Sequence, residues 1–430
     1  MSEARFTTLQ QWLEWIENNH PVDLIELGLD RVRMVYQQMS LDLSCSRTVI
    51  VGGTNGKGST VAMLDQVLRD QGVTVGCFTS PHFLRYNERI KLAGQPVDDA
   101  HIIRAFAAIE QARGDVRLTY FEYNTLAALH VFAAEKPEVM LLEVGLGGRL
   151  DAINIVDADI SVVTTVAVDH IDWLGDNREQ IGYEKAGIYR AGRPAVCGDP
   201  NPPETLTRYA DEIGARLYQR GRDFNWQQTD NNNWLWQGEQ MDGGILTVSG
   251  LPELTLPKAN AATVMQVLGL LGMMPEPQQL KESLSKASLT GRMQQIRVAD
   301  TDYILDVAHN PEAAEYLTGQ LREKPAEGRT LMVLGMLADK DIDQVLSLLQ
   351  PVIDQWYLVS LKGARGQSAQ VLSEKLTSLG VAVTLQTACD TVADALETVQ
   401  KEASRGDRVI VAGSFFTVSD ALIALNMDGI

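Results

Sequence analysis

Cysteine is scarce in this chain: Cys45, Cys77, Cys197 and Cys389 lie far apart and form no C-x-x-C pair. A disulfide framework is excluded, and the four read as reduced thiols, mostly core filler. Long apolar runs are also missing, so no segment reaches the length needed to span a bilayer. The stretch Met1 to His20 is acidic and amphipathic and lacks the basic and apolar regions of a secretion signal. Positive charge is in deficit, with 37 Lys and Arg against 56 Asp and Glu, a formal net charge of −19. That balance excludes a broad nucleic-acid or anionic-membrane surface. These absences predict a cytoplasmic protein with small-molecule partners, in which any anionic substrate is held by a local basic pocket.

The chain's 430 residues allow two or three domains, and 45% hydrophobic with 22% charged residues describes an ordinary globular composition. Its organising stretch is Val49-Ile50-Val51-Gly52-Gly53-Thr54-Asn55-Gly56-Lys57-Gly58-Ser59-Thr60. An apolar β-branched run stops at two glycines, and a helical pattern starts after Lys57. Strand, glycine-rich turn and helix together present main-chain N–H groups and a helix N-terminus to phosphate oxygens. The general pattern G-x-x-x-x-G-K-[ST] fails, because Val51 replaces its first glycine and Gly58 follows the lysine. The variant G-T-N-G-K-G-S fits letter for letter, with Ser59 as the Mg²⁺-ligating hydroxyl.

Around this loop the pattern alternates strands and helices. Leu9–Asn19 has apolar residues at helical spacing, and Leu27 to Val32 turns into another short helix. Strands are predicted at Val73–Phe78, Glu138–Glu143, Ile160–Val166 and Arg193–Asp199, with helices over Val61–Arg69, His101–Ala112, Asn124–Ala134, Ile181–Arg190 and Ala259–Leu271. Ligands of α/β sheets bind at the carboxyl ends of strands, so the polar residues there stand out: Ser80, Glu143 and, after Val168-Asp169, His170. Arg85 and Arg89 are sources of local positive charge. A strand-end Glu is either a helix cap or a Mg²⁺ carboxylate, and the phosphate loop upstream favours the second. A lone His is as readily structural as ligating. Lys185, in Glu184-Lys185-Ala186-Gly187, reads by its letters as a solvated helix face. Trp226, Trp234 and Trp236 are spaced among Asn, Gln and Gly without interleaved Lys and Arg, which predicts a small appended sheet rather than a nucleic-acid platform. From about Met293 a second α/β unit starts, with strands at Tyr303–Asp306, Thr330–Leu334, Trp356–Leu361, Val381–Leu385 and Arg408–Val411.

The motifs resemble those of the bifunctional dihydrofolate synthase/folylpolyglutamate synthase family, within the Mur-ligase-like ATP-dependent amide ligases. Besides the phosphate loop, Leu142-Glu143-Val144-Gly145-Leu146-Gly147-Gly148-Arg149-Leu150-Asp151, Thr79-Ser80-Pro81-His82, Asp169-His170, Glu184-Lys185-Ala186-Gly187-Ile188, Asp306-Val307-Ala308-His309-Asn310-Pro311 and Asp339-Lys340-Asp341 look like family motifs in family order. Ile153 departs from it, standing where Thr or Ser is usual. The resemblance implies an N-terminal ATPase domain (1–293) carrying the pteroate site and a C-terminal Rossmann-like glutamate ligase domain (294–430), with the active site in the cleft between them. It implies that Asn55, Gly56, Lys57, Gly58, Ser59, Thr60, Asn260, Arg292 and Asp306 bind ATP. Ser59, Ser80, Glu143, His170 and a carbamylated Lys185 would serve two Mg²⁺ ions, with Lys57, Lys185 and His170 catalytic. Leu29, Asp30, Arg31, Val32, Thr119, Tyr120, Phe121, Glu122, Leu150, Asp151 and Ala152 would line the pteroate site, and His309 and Ser414 would hold glutamate. The implied activity joins L-glutamate to dihydropteroate and to the glutamate tail of reduced folates, in a monomer.

Two rivals are weaker. A Mur ligase of cell-wall synthesis usually carries a separate uridine-nucleotide domain before the phosphate loop, whereas the 52 residues before Gly53 read as helices. A GTP-dependent switch would need the guanine-reading N-K-x-D motif, and this chain has none.

Overall fold

The computed structural model describes residues 5–21, 26–229 and 233–427. The outer limits of the two predicted domains, the first residues of Met1–His20 and the middle of the tryptophan-rich stretch lie outside them. The chain folds as two compact units, Met1–Ala287 and Ser288–Ile430.

The first unit is built on an eight-stranded sheet: β1 (Arg47–Gly52), β2 (Val75–Phe78), β3 (Ile90–Leu92), β4 (Gln95–Pro96), β5 (Val139–Glu143), β6 (Ile160–Val163), β7 (Pro194–Cys197) and β8 (Arg216–Gln219). Their order is β4-β3-β2-β5-β1-β6-β7-β8. All neighbours are parallel except the β2–β3 and β3–β4 pairs at one edge. Val49, Ile50, Val51, Leu141 and Leu142 have no solvent exposure; helices cover both faces, which is why the central strands read as unbroken apolar runs. The phosphate-loop strand is thus central, and Val51 lies in register with Glu143 on the neighbouring strand. One short registered pair therefore sets the glycine loop and the carboxylate at the same sheet edge.

A second, three-stranded antiparallel sheet follows: β9 (Phe224–Gln228), β10 (Trp234–Glu239) and β11 (Ile245–Leu251). Trp234 and Trp236 are fully buried, and their indole N–H groups donate to Pro252 O (2.6 Å) and Ala262 O (3.0 Å). Ala262 belongs to the helix Lys258–Leu271, so these tryptophans fasten the small sheet to the unit. Truncating such a residue to Ala costs about 3–5 kcal/mol.

The second unit has a six-stranded sheet of β12 (Gln294–Val298), β13 (Thr301–Asp306), β14 (Thr330–Leu334), β15 (Gln355–Val359), β16 (Gln386–Cys389) and β17 (Arg408–Ala412), in the order β12-β13-β17-β14-β15-β16. Only β12 runs antiparallel, as a hairpin with β13.

Several predicted elements are corrected. Val381–Leu385 is not a strand: Val383–Leu385 forms a 3-10 turn with Val383 and Leu385 exposed, and the edge strand is Gln386–Cys389, pairing Gln386 with Trp356. β6 stops at Val163, so His170 does not end a strand; it precedes the short helix Ile171–Leu174 in a left-handed conformation, φ 54°. The helix predicted over Ile181–Arg190 runs over Arg178–Ala186. Of the cysteines, Cys77 and Cys197 are core residues, but Cys45 is exposed and Cys389 partly so.

Candidate active site

The helix Lys57–Asp70 begins on Gly56, which has φ 85° and provides no side-chain cap. A Cβ on Gly56 would sit 2.7 Å from the Asn260 side chain, and one on Gly53 (φ 137°) would fall onto the Thr164 hydroxyl. Both glycines are therefore required by backbone conformation and by close approach. Lys57 Nζ donates to Gly53 O and Thr54 O, each at 3.1 Å, which draws its charge over the loop. The residues just past β6 pin the loop from the other side. Thr164 Oγ1 donates to Asn55 O (2.6 Å), Asn55 N donates to Thr165 Oγ1 (3.2 Å), and Thr54 Oγ1 accepts Ala167 N (3.0 Å). Thr164 and Thr165 were not singled out from sequence, because Val-Val-Thr-Thr-Val looks like a continuing strand. Ser59 and Thr60 are buried in the helix's first turn, and the Thr60 hydroxyl has no hydrogen-bond partner among the described residues. An uncapped helix start, glycines that a Cβ would block and a lysine over the loop form a cradle that fits a phosphate chain.

Glu143 ends β5, is buried, and accepts the Ser80 N–H at 3.3 Å. His170 is on an exposed connection beside Asp169. Among the described residues, no group of three or more His, Cys, Asp or Glu side chains is gathered for a metal. The buried Glu143 carboxylate, in register with the phosphate-loop strand, is a hard oxygen donor of the kind Mg²⁺ takes.

Lys185 is buried, at 3% exposure, in the last turn of the helix Arg178–Ala186. This overturns the solvated-face reading of its letters. The burial follows from glycine packing: a Cβ on Gly148 would lie 3.0 Å from Lys185 O, and one on Gly187 would overlap the Arg149 side chain. Arg149 is locked in turn to Glu184 at 2.7 Å. The glycine-rich turn and the Glu-Lys-Ala-Gly helix end are one packed assembly.

Three remote segments expected to line a pteroate site meet in this unit. Gly28 N donates to Leu150 O at 3.3 Å, and Arg31 Nη2 reaches Glu122 Oε1 at 3.3 Å. Thr119 and Glu122 form the capping box of the helix Tyr120–Glu135. Burial raises the pKa of Glu122, against the opposing pull of the Thr119 N–H and Arg31. Leu29 and Phe121 are partly exposed and Asp30 exposed, whereas Val32 and Ile153 have no exposure and act as core. Phe121 lies over Gly145, where a Cβ would come within 2.5 Å of its ring. Asp151 is buried and accepts the N–H groups of Leu146 (2.9 Å) and Ile153 (3.0 Å); desolvation nonetheless pushes its pKa up to about 6. Ala152 is buried beside it.

In the second unit, Asp306 ends β13 and accepts the N–H groups of Met293 and Ala308, both at 2.8 Å. Burial raises its pKa, and Arg292 is the largest opposing influence. The Arg292 guanidinium sits 5.0 Å from the Phe415 ring centroid. His309 and Ser414 follow the paired strands β13 and β17, which places them at one sheet edge. His309 Nδ1 is 3.0 Å from Val307 O, and Ser414 Oγ accepts the Phe416 N–H at 3.2 Å.

Residues 51–197 match the Mur ligase middle domain, and residues 291–415 match the Mur ligase glutamate ligase domain. The chain is 43% identical to the dihydrofolate synthase/folylpolyglutamate synthase of Escherichia coli, over 96% of this chain and 94% of that one. It is 41% identical to the enzyme of that name from Haemophilus influenzae, over 96% of each. The chain belongs to the dihydrofolate synthase/folylpolyglutamate synthase family. Among solved structures it is similar to E. coli FolC in complex with DHPP and ADP (TM-score 0.90, 42% identity, 99% of both chains). It is also similar to the Yersinia pestis bifunctional enzyme complexed with AMPPNP and Mn ion (TM-score 0.89, 42% identity, 99% of this chain and all of that one). Membership makes this protein an ATP-dependent ligase that joins glutamate to folates. No helix among the described residues is long and apolar enough to cross a membrane.

Proposed function

We propose that this chain carries out both family reactions, adding L-glutamate to dihydropteroate and to the glutamyl tail of reduced folates, with the residues assigned above in named roles. A carboxylate is a poor acyl donor because its leaving group would be oxide. Attack of the substrate carboxylate on the γ-phosphorus of ATP gives an acyl phosphate and ADP. The neutral amine of glutamate then adds to the acyl carbon, and the tetrahedral adduct loses phosphate and a proton to leave the amide. Lys57, the amides of Asn55 to Ser59 and Arg292 balance charge on the transferring phosphoryl group. Asn260, Thr60 and Asp306 contact the nucleotide. His309 and Ser414 orient the glutamate. Leu29 to Arg31, Thr119 to Glu122 and Leu150 to Ala152 bind the pteroyl group, with Val32 as the core residue that backs the first of these segments.

Two Mg²⁺ ions would be held by Ser59, Ser80, Glu143, His170 and Lys185, and when bound they supply electrostatic stabilisation of the phosphates. Lys185 in this reading is a carbamate: its neutral amine adds CO₂ and releases a proton, turning a buried cation into an anionic oxygen ligand. Its burial beside the glycine-rich turn supports this, since an unmodified ammonium there would repel the metals. The protein is read as a cytoplasmic monomer that does not bind nucleic acid.

The registered pair Val51 and Glu143 is the observation that carries the reading, because it joins phosphate cradle and metal carboxylate at one edge. The test is to supply ATP, glutamate and either dihydropteroate or tetrahydrofolate and to identify the amide products by mass. Products from both acceptors are expected; ATP hydrolysis without an amide product would overturn the assignment.

A further inference from the structure

Arg89 ends the 3-10 turn Tyr86–Arg89 and, at 7% exposure, is the one arginine among the described residues in the buried class. Its guanidinium lies between two rings, 5.8 Å from the centroid of Tyr86 and 5.6 Å from that of Tyr120. Among the described residues its side chain makes one hydrogen bond, Nε to His82 Nδ1 at 2.8 Å. No carboxylate among the described residues is within ion-pair distance of it. Three other partly buried arginines do have carboxylate partners: Arg31 with Glu122, Arg113 with Glu110, Arg190 with Asp157. Arg408, also partly buried, is met by the Lys324 carbonyl and the Thr330 hydroxyl, whereas Arg89 is held, among the described residues, only by a neutral ring nitrogen and two aromatic faces. The adjacent carboxylate, Glu88, is engaged by the N–H groups of Phe83 (2.7 Å), Leu84 (2.8 Å) and Arg85 (2.6 Å). His82, whose ring nitrogen accepts from Arg89, is an imidazole and brings no negative charge. Asn124 belongs to the same cluster. Its Oδ1 accepts the Tyr86 hydroxyl at 2.7 Å, while its Nδ2 is buried without a partner among the described residues.

A desolvated cation without an anion is strongly unfavourable, and it persists where a ligand supplies the anion. Location indicates which ligand. Thr79 N donates to Arg89 O at 2.9 Å, and the next residue, Ser80, donates to Glu143 at 3.3 Å. On its other side Arg89 faces Tyr120. The main chain of Arg89 is thus tied to the segment that meets Glu143, and its guanidinium lies against Tyr120 of the proposed pteroyl segment.

We propose that Arg89, steered by His82 and flanked by Tyr86 and Tyr120, binds a carboxylate of the pteroyl substrate. The inference rests on the pteroyl site assigned above. Two carboxylates share this chemistry: the reacting benzoyl carboxylate of pteroate, and the α-carboxylate that only a glutamylated folate carries.

The test is equilibrium binding, followed by fluorescence without ATP, of pteroate, folate and decarboxylated pteroate to the wild type, Arg89→Gln and Arg89→Lys. In the wild type both acids should bind about tenfold or more tighter than the decarboxylated compound, the range expected of a charge-assisted pair. Arg89→Gln should abolish that preference for at least one acid while leaving affinity for decarboxylated pteroate within about twofold. Loss for pteroate alone identifies the benzoyl carboxylate, which in folate is an amide; loss for folate alone identifies the α-carboxylate of its glutamyl tail; loss for both means that Arg89 serves each of the two in turn. Arg89→Lys, which keeps the charge, should fall between, and it carries the test if the Gln variant does not fold. An equal loss for all three ligands would mean a structural role and overturn the proposal, as would an unchanged preference. A wild type that binds none of them would instead refute the pteroyl site itself.

Discussion

In the first unit the helix after β1, Lys57–Asp70, begins on Gly56 with no side-chain cap. In the second, the helices after β13 and β17 begin on Asn310 and Ser414, whose side chains accept the N–H groups of Ala313 (3.0 Å) and Phe416 (3.2 Å). The two sheets share a plan, mostly parallel with an antiparallel edge, yet differ in what their carboxyl ends leave available. An uncapped start leaves main-chain donors and the positive end of the helix dipole for an oxyanion. A capped start has those donors already engaged, so a ligand there must be met by side chains. The proposed roles follow this difference: the main-chain phosphate cradle is assigned to the first unit, and recognition of the amino-acid carboxylate by the His309 and Ser414 side chains to the second.

The largest effect that could break this comparison is expected at Lys57. Lys57→Ala should lower ligation at least about 100-fold, the scale of losing one preorganised charge contact to a transition state. The melting temperature should change little, since the Lys57 ammonium donates to carbonyls of its own loop and a lost polar contact at a loop costs little. Near-normal turnover in a folded variant would remove the phosphate role from the first unit.

Lys185 should be nearly as sensitive, but for a different reason. As a carbamate it acts through anionic oxygens, so Lys185→Arg, which keeps a cation, should fail as badly as Lys185→Ala. Only the Ala variant should be partly restored by acetate. Normal turnover of the Arg variant would exclude the carbamate.

A smaller and graded loss is expected at the metal ligands. Glu143→Ala should depress turnover strongly, because the buried Glu143 carboxylate is fixed by the Ser80 N–H. His170→Ala should depress it less and respond to excess Mn²⁺, since His170 is exposed and its position is less constrained. Activity that is independent of divalent metal in both variants would show that the two positions are merely structural.

How much of this was legible in the sequence depends on whether a feature is local. The phosphate loop, Glu143 at its strand end and the tryptophan-rich sheet each follow from short-range pattern and turn chemistry. The strand at Gln386–Cys389 does not, because its letters are weaker β-formers than the preceding Val381–Leu385. Pairing with β15 placed it instead. The early end of β6 is likewise tertiary: Thr164 to Ala167 leave the sheet to hold the phosphate loop, which carries His170 off the strand. Burial of Lys185 was invisible because helical periodicity does not say which polar residue turns inward. The glycines at 148 and 187 were the available signal, readable only once their partners were known.

The smallest expected effect sharpens the comparison most, because it separates a cap from a ligand contact at a single residue. Ser414 Oγ accepts the Phe416 N–H but keeps its own hydroxyl proton, so it can donate to a glutamate carboxylate while still capping the helix Phe415–Ala424. Ser414→Ala removes both functions: stability should fall by about 1 kcal/mol for the cap, and KM for glutamate should rise several-fold with ATP affinity nearly unchanged. Thr391 offers the control. It caps the helix Val392–Glu402 in the same unit by accepting the Asp394 N–H at 3.1 Å, and it has no assigned ligand. Thr391→Ala should cost a similar stability, also about 1 kcal/mol, and leave KM for glutamate where it was. If both variants raise KM alike, the effect at Ser414 is only loss of the cap. If Ser414→Ala weakens ATP binding as much as glutamate binding, the division of labour between the two sheet edges is wrong.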